Sequence, residues 1–207
     1  MTHILALNSS ISGEASVSRV LVEHALQRLL EANPGATVTH RDVGNSPIPH
    51  LVSATVAGIR ADATTKEERA TAAFSDELIG ELRAADIIVI GAPMYNFSIP
   101  TGLRAWFDHV IRSRVTFSYS ETGPQGLLTG KRVLVIESRG GLYSEGPNKA
   151  IDFQEPYLRT LLGFIGLSEV TFIHAEKIAY GPEAREAALA HAKAQIAVAA
   201  VRSQKTQ

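Results

Sequence analysis

The stretch "DIIVIGAPMYNFSIPTGLRAWFDHV" (residues 86–110) runs from an apolar β-branched segment into a loop bracketed by Pro93 and Pro100, then into a helical pattern. A continuous β-branched run of this length suits a strand buried on both faces. A helix that follows it at once suits a parallel α/β sheet. Two other runs share this character, "HILAL" (3–7) and "RVLVIES" (132–138). "TVTHRD" (37–42) and "EVTFIHA" (169–175) alternate more and are expected nearer the sheet edges.

Helical patterns separate the five runs. "SVSRVLVEHALQRLLEANPG" places Val17, Val20, Leu21, Ala25 and Leu29 on one stripe, with Ser16 as N-cap and Asn33-Pro34-Gly35 as its stop. Further helices are predicted over "TKEERATAAFSDELIGELRAA", "TGLRAWFDHVIRS", roughly 152–165, and "PEAREAALAHAKAQIAVAAV", where Pro182 suits a first turn. Segment 43–65 is an excursion with a short helix predicted at 51–60. The alternation implies helices on both faces of a parallel sheet, in a single domain over residues 1–207.

Composition narrows the function. The chain is 45% hydrophobic and 20% charged, which supports a real core and argues against disorder. A formal net charge of −1 gives no electrostatic footprint for nucleic acid or an anionic membrane. With no cysteine, disulfides, thiolate metal sites and a Cys nucleophile are excluded. "MTHILALNSS" does not read as a signal peptide, and no apolar run approaches the ~18 residues of a membrane span. A soluble cytoplasmic protein is expected.

In an open α/β sheet, ligands bind at the carboxyl ends of the strands. The first strand ends in "NSSISGEASVS", rich in hydroxyls and leading into a helix N-terminus. That suits a phosphate held by neutral donors and the helix dipole, and equally an ordinary Ser-rich loop with a cap. No G-x-G-x-x-G follows this strand, and "GLLTGKR" (126–132) is one residue short of a Walker loop and precedes a strand. The third strand empties into Met94, Tyr95, Asn96 and Phe97, which offer apolar surface and backbone amides to a flat heteroaromatic ring. The fourth ends in "SRGG", where Gly140 and Gly141 permit positive φ and close backbone approach. Flavin mononucleotide (FMN) satisfies all three ends at once.

These residues also carry a resemblance. "PMYNFSIP", "SRGG", "LLGFIGL" and "IAYGP", at these spacings and over essentially the whole chain, resemble the bacterial FMN-dependent NADH:quinone oxidoreductases, or azoreductases. The resemblance implies a flavodoxin-like, doubly wound five-stranded sheet of order 2-1-3-4-5. It implies FMN phosphate binding by Ser10 and by Ser16, Val17 and Ser18. The flavin ring is then held by Met94, Tyr95, Asn96 and Phe97 and by Ser138, Arg139, Gly140 and Gly141. It further implies a homodimer whose sites are roofed by the other subunit. The activity implied is hydride transfer from NADH or NADPH through FMN to a quinone or azo compound. One departure stands out: Glu14 lies beside the proposed phosphate nest and is expected to face solvent.

One exposed flavin face visited in turn by donor and acceptor predicts ping-pong kinetics. No protein nucleophile and no metal are assigned. Candidate slot-lining side chains are Asn96, Phe97, Phe117, Tyr119 and Phe164, with 115–126 as a mobile flap. For Phe164 a plain core role reads equally well, and Asn96 could equally brace its loop. His174, near Glu176, reads as a structural histidine, His109 as facing a dimer interface, and His24 and His191 as solvent-facing. A receiver domain is rejected, because Asn8-Ser9-Ser10 and Gly91-Ala92-Pro93 replace its acids. A flavodoxin-like electron carrier and an FMN or nitro reductase with another acceptor are the remaining alternatives.

Overall fold

A computed structural model describes residues 1–201. The last six residues of the expected domain, 202–207, lie outside the described residues. Five strands, β1 (His3–Asn8), β2 (Thr37–Asp42), β3 (Ile87–Pro93), β6 (Arg132–Ser138) and β7 (Glu169–Ala175), form a parallel sheet of order β2-β1-β3-β6-β7. Two more strands, β4 (Phe117–Ser120) and β5 (Gly123–Gly126), pair antiparallel as a separate hairpin. The order written 2-1-3-4-5 is therefore corrected to 2-1-3-6-7. A segment read as a flap is itself a pair of strands and takes two places in the count.

β1, β3 and β6 are almost wholly buried, while β2 and β7 occupy the edges and are half-exposed. Their alternation marks the one-sided burial of edge strands. Two cores flank the sheet. On one face α1 (Val17–Ala32) and α6 (Pro182–Val201) bury Leu21, Val22, Leu29, Ala192 and Ile196. On the other, α3 (Lys66–Ala84), α4 (Thr101–Val110) and α5 (Glu155–Phe164) bury Leu78, Leu82, Leu103, Trp106, Leu158 and Leu162. Each such leucine stabilises the fold by about 1.5–3 kcal/mol relative to exposure. Val20, expected on the buried stripe of α1, is 44% exposed, and Val22 and Leu26 take its place. The predicted helix at 51–60 shrinks to a single turn, α2 (Ala57–Arg60).

Local chemistry sets the helix starts. Ser16 caps α1 by accepting from the Arg19 N–H at 3.3 Å. Thr65 and Glu68 form a reciprocal capping box on α3. The flap reading of 115–126 is corrected at its base: Leu128 N–H donates to the Ile165 carbonyl at 2.9 Å, and a Cβ on Gly126 would lie 2.0 Å from Gly166 N. Only glycine permits that crossing of two backbones, so the foot of the hairpin is fastened to the end of α5.

Candidate functional site

The carboxyl ends of β1, β3 and β6 meet, as the parallel register requires. Ser9 Oγ donates to the Gly91 carbonyl at 2.7 Å, and Met94 N–H donates to the Ser138 carbonyl at 2.9 Å. Between these ends lies an open cavity of about 230 Å³, walled by Ser10, Ser12, Ser16, Val17, Met94 and Tyr95 on one side. Ser138, Arg139, Gly140, Ile178 and Arg185 line the other side.

The expected phosphate nest is built as follows. Ser10 Oγ sits 3.1 Å from the Tyr95 hydroxyl and accepts from the Ser12 N–H at 3.2 Å. At the start of α1 the N–H groups of Val17 and Ser18 have no acceptor within the helix, since a helix leaves its first donors unpaired. Ser18 Oγ lies 3.1 Å from Ser16 Oγ and is buried. Its side chain supports Ser16 and does not line the cavity. Glu14 is exposed in a short 3₁₀ turn, Gly13–Ala15, as expected. From below, Gly44 presses on the nest: a Cβ there would lie 2.1 Å from the Ser10 carbonyl oxygen.

The "MYNF" loop is tighter than two prolines imply. Tyr95 and Ser98 exchange both backbone hydrogen bonds, at 2.9 and 3.1 Å, leaving Asn96 and Phe97 as the two turn residues. Their φ angles are +48° and +70°. Asn adopts this left-handed region readily, whereas for Phe it is an outlier that costs about 1–3 kcal/mol. Phe97 is 45% exposed and stands edge-on to Tyr143, ring centroids 6.2 Å apart. Neither Asn96 nor Phe97 lines the 230 Å³ cavity.

The glycine pair is also corrected. Neither Gly140 nor Gly141 has positive φ. Gly140 lines the cavity, and a Cβ there would meet only Ala179 Cβ at 3.6 Å, an ordinary contact. Gly141 does not line it; its own Cβ would meet the Tyr143 ring at 3.1 Å. The loop is held flat from the other side, where the Ala179 and Lys177 N–H groups donate to the Gly140 and Gly141 carbonyls.

Beneath this wall lies a buried ionic network. Arg139 is wholly buried. It donates to Glu137 at 2.7 Å, Asp152 at 3.0 Å, Glu176 at 3.2 Å and the side-chain Oε1 of Gln154 at 3.0 Å. Gln154 in turn donates to the Ala92 carbonyl at 2.8 Å, so the network braces both the β3 and the β6 end. Its guanidinium is thus committed inward, and only the rest of the residue can serve the cavity. Burial opposes ionisation of Glu176, yet donors from Ser144, Tyr143 and Arg139 hold its carboxyl below the usual range. His174 Nε2 lies 2.8 Å from Glu155 and 3.1 Å from Glu137. Burial works against the imidazolium, but the two carboxylates outweigh it and push His174 up to about 9. The hydrogen bond from His174 outweighs burial and, with Arg159, draws Glu155 down to about 2. Burial pushes Glu137 up, with His174 and Arg139 opposing. His174 is structural, as expected, although its partners are Glu137 and Glu155 rather than Glu176.

The expected aromatic slot is divided. Phe117, Tyr119 and Phe164 gather with Tyr157, Arg60 and Arg104 around a second cavity of about 280 Å³, which shares no residue with the first. Phe117 is buried, 4.5 Å from Phe164 between ring centroids, and Tyr119 is 73% exposed. His109, expected to face a dimer interface, is instead buried within the chain, with Nε2 3.0 Å from the Pro49 carbonyl oxygen and its ring edge-on to Phe74. His24 is half-buried rather than solvent-facing, while His191 is exposed. Sequence reasoning missed Ser12, Ile178 and Arg185. The first lay unread within a motif that was itself singled out; the other two arrive from beyond the last strand, where no local pattern announces them.

The site supplies what a phosphorylated flavin requires: hydroxyl and backbone donors at a helix N-terminus, and a β-end wall kept free of side chains at Gly140. A family profile described as "Flavodoxin-like fold" matches residues 2–199. A protein of Hyphomonas neptunium named "FMN-dependent NADH:quinone oxidoreductase" is 60% identical over 197 residues, 95% of each chain. One of the same name from Ralstonia nicotianae is 52% identical, over 92% of this chain and 93% of that one. Among solved structures, an azoreductase from Bacillus anthracis superposes with TM-score 0.87 at 28% identity, over 97% of this chain and 99% of that one. An FMN-dependent NADH-azoreductase from Bacillus anthracis, in complex with FMN, gives TM-score 0.88 at 25% identity, over 99% and 100%.

Proposed function

The chain belongs to the flavodoxin-like fold family and, within it, to the FMN-dependent NADH:quinone oxidoreductases, and on that premise we propose that it binds FMN and passes a hydride from NADH or NADPH to quinones and azo compounds. The observation that carries this reading is the convergence of Ser10, Ser16, Val17, Met94, Tyr95, Ser138, Arg139 and Gly140 on one cavity from three separate strand ends. When bound, FMN would supply the hydride relay between nicotinamide and acceptor. The protein's part is to bind and orient. Ser10, Ser16 and the first-turn N–H groups of α1 would hold the phosphate. The backbones of Met94 and Tyr95 and of Ser138 to Gly140 would line the ring, with the Asn96–Phe97 turn and Gly141 beyond its edge. No side chain is required as a nucleophile. Donor and acceptor would use one face in turn, giving ping-pong kinetics, and cleavage of an azo bond to two amines would take two rounds, four electrons in all.

The division of the aromatic residues supports a homodimer within this reading. Phe117, Tyr119 and Phe164 of one copy would complete the slot above the 94–97 loop of the other, with exposed Phe153 near the seam. Sedimentation velocity that returned only a monomer would remove this pairing. The function is tested by colour. The purified protein is expected to show a bound-flavin spectrum, bleached by NADH without oxygen and restored by a quinone. A colourless protein that takes up no added FMN overturns the reading.

A further inference from the structure

Two arginines line the 230 Å³ cavity, and they differ in what already occupies them. The guanidinium of Arg139 is committed to three carboxylates and a carboxamide. Arg19, at the start of α1, is paired with Asp42. Arg185 is exposed, and among the described residues its side chain has no carboxylate or other acceptor. Its backbone N–H donates to the Gly181 carbonyl at 3.0 Å, which fixes it in the opening turn of α6. That position is unfavourable for a cation, because the N-terminal end of a helix carries partial positive charge. A residue that breaks a local rule with no compensating contact marks a functional site. The cavity has the matching deficit. Its other polar walls, Ser10, Ser12, Ser16 and Tyr95, are neutral, while an FMN phosphate carries close to two negative charges near neutral pH.

We propose that Arg185 is the cationic partner of the FMN phosphate, reaching across the cavity from α6 to the hydroxyl-lined nest at the start of α1. The inference rests on the FMN reading above. A guanidinium matches phosphate oxygens in a bidentate fork and adds a charge-assisted bond that the serine hydroxyls cannot supply. It also accounts for how a nest without Lys or Arg of its own, beside Glu14, can retain a dianion. The residue lies 169 or more positions beyond the serines it would assist (Ser10 and Ser16 against Arg185), so no motif spacing reveals it.

The test is equilibrium binding of FMN and of riboflavin to apoprotein, followed by flavin fluorescence, for wild type, Arg185→Ala and Arg185→Lys. Arg185→Ala is expected to weaken FMN about tenfold, about 1.4 kcal/mol, and to leave riboflavin unchanged. It should also flatten the fall of FMN affinity with added salt. Arg185→Lys should recover part of the loss, since it restores charge without the fork. Exposure of the side chain keeps the fold intact, which far-ultraviolet circular dichroism would verify. Equal FMN affinity in wild type and Arg185→Ala overturns the inference while leaving the FMN reading standing. So does a variant altered only in its NADPH-to-NADH preference, which would place the arginine on the donor's phosphate. Wild-type protein that binds neither flavin overturns both.

Discussion

Phe97 holds a backbone conformation that its side chain opposes. At φ +70° the Cβ crowds the carbonyl oxygen, and the structure tolerates this because Tyr95 and Ser98 close the turn from both sides. Two substitutions separate backbone from ring. Phe97→Ala removes the ring and keeps the Cβ, whereas Phe97→Gly removes both. In urea unfolding of the apoprotein, Phe97→Gly is expected to be the more stable of the two by about 1 kcal/mol. Equal stabilities would mean the turn is not left-handed at this residue. The same residue shows the reach of sequence reading. The "YNFS" tetrapeptide lacks the Asn-Gly that announces a type I′ turn, so the loop was legible as rigid but not as a hairpin. The prolines read as its clamps are outside the turn itself.

At the scale of elements, an ion cluster joins β7 to the first turn of α5, beside the packing of Arg159 over the Phe172 ring. His174 comes from the strand, Glu155 from the helix, and Glu137 from neighbouring β6. Because His174 is held up to about 9, its share of stability is complete below the ordinary histidine value of 6.5 and is lost as pH rises through 9. Glu155, held at about 2, contributes fully above the ordinary carboxylate value of 4.5 and is lost as pH falls toward 2. Glu137 works the other way, since burial raises its carboxyl and ionising it opposes the fold. The expected outcome is that His174→Gln destabilises the protein more at pH 6 than at pH 9.5, by urea unfolding at each. An equal loss at both would show that the imidazole is neutral in the fold. None of this join was visible in advance. The histidine was legible as structural, but its partners lie 19 and 37 positions away (174 against 155 and 137): the register of β6 with β7 sets Glu137 beside it, and the start of α5 brings Glu155.

For the molecule as a whole, the five-stranded sheet was legible because continuous β-branched runs and alternating runs record burial on two faces or one. The positions of β1, β2, β3, β6 and β7 follow from that record, and so do the three strand ends that meet at the cavity. The β4–β5 hairpin was not legible, because "FSYS" buries only Phe117, "GPQG" buries nothing, and Gly-Pro-Gln-Gly reads as a loop. Contributions from the far end of the chain, Ile178 and Arg185, escape any local pattern.

The Arg139 knot sets one more consequence, in the order of synthesis. A chain released only as far as residue 150 already has every serine of the nest, the whole "MYNF" turn and both loop glycines. It lacks Asp152, Gln154 and Glu176, which together with Glu137 surround the arginine, and it lacks Ile178 and Arg185. Such a nascent chain has the serines and the turn proposed for the cofactor, but a wall whose arginine lacks three of its four partners. The proposed site is therefore indivisible in the chain: no N-terminal fragment that ends before the first turn of α6 contains the whole cavity lining.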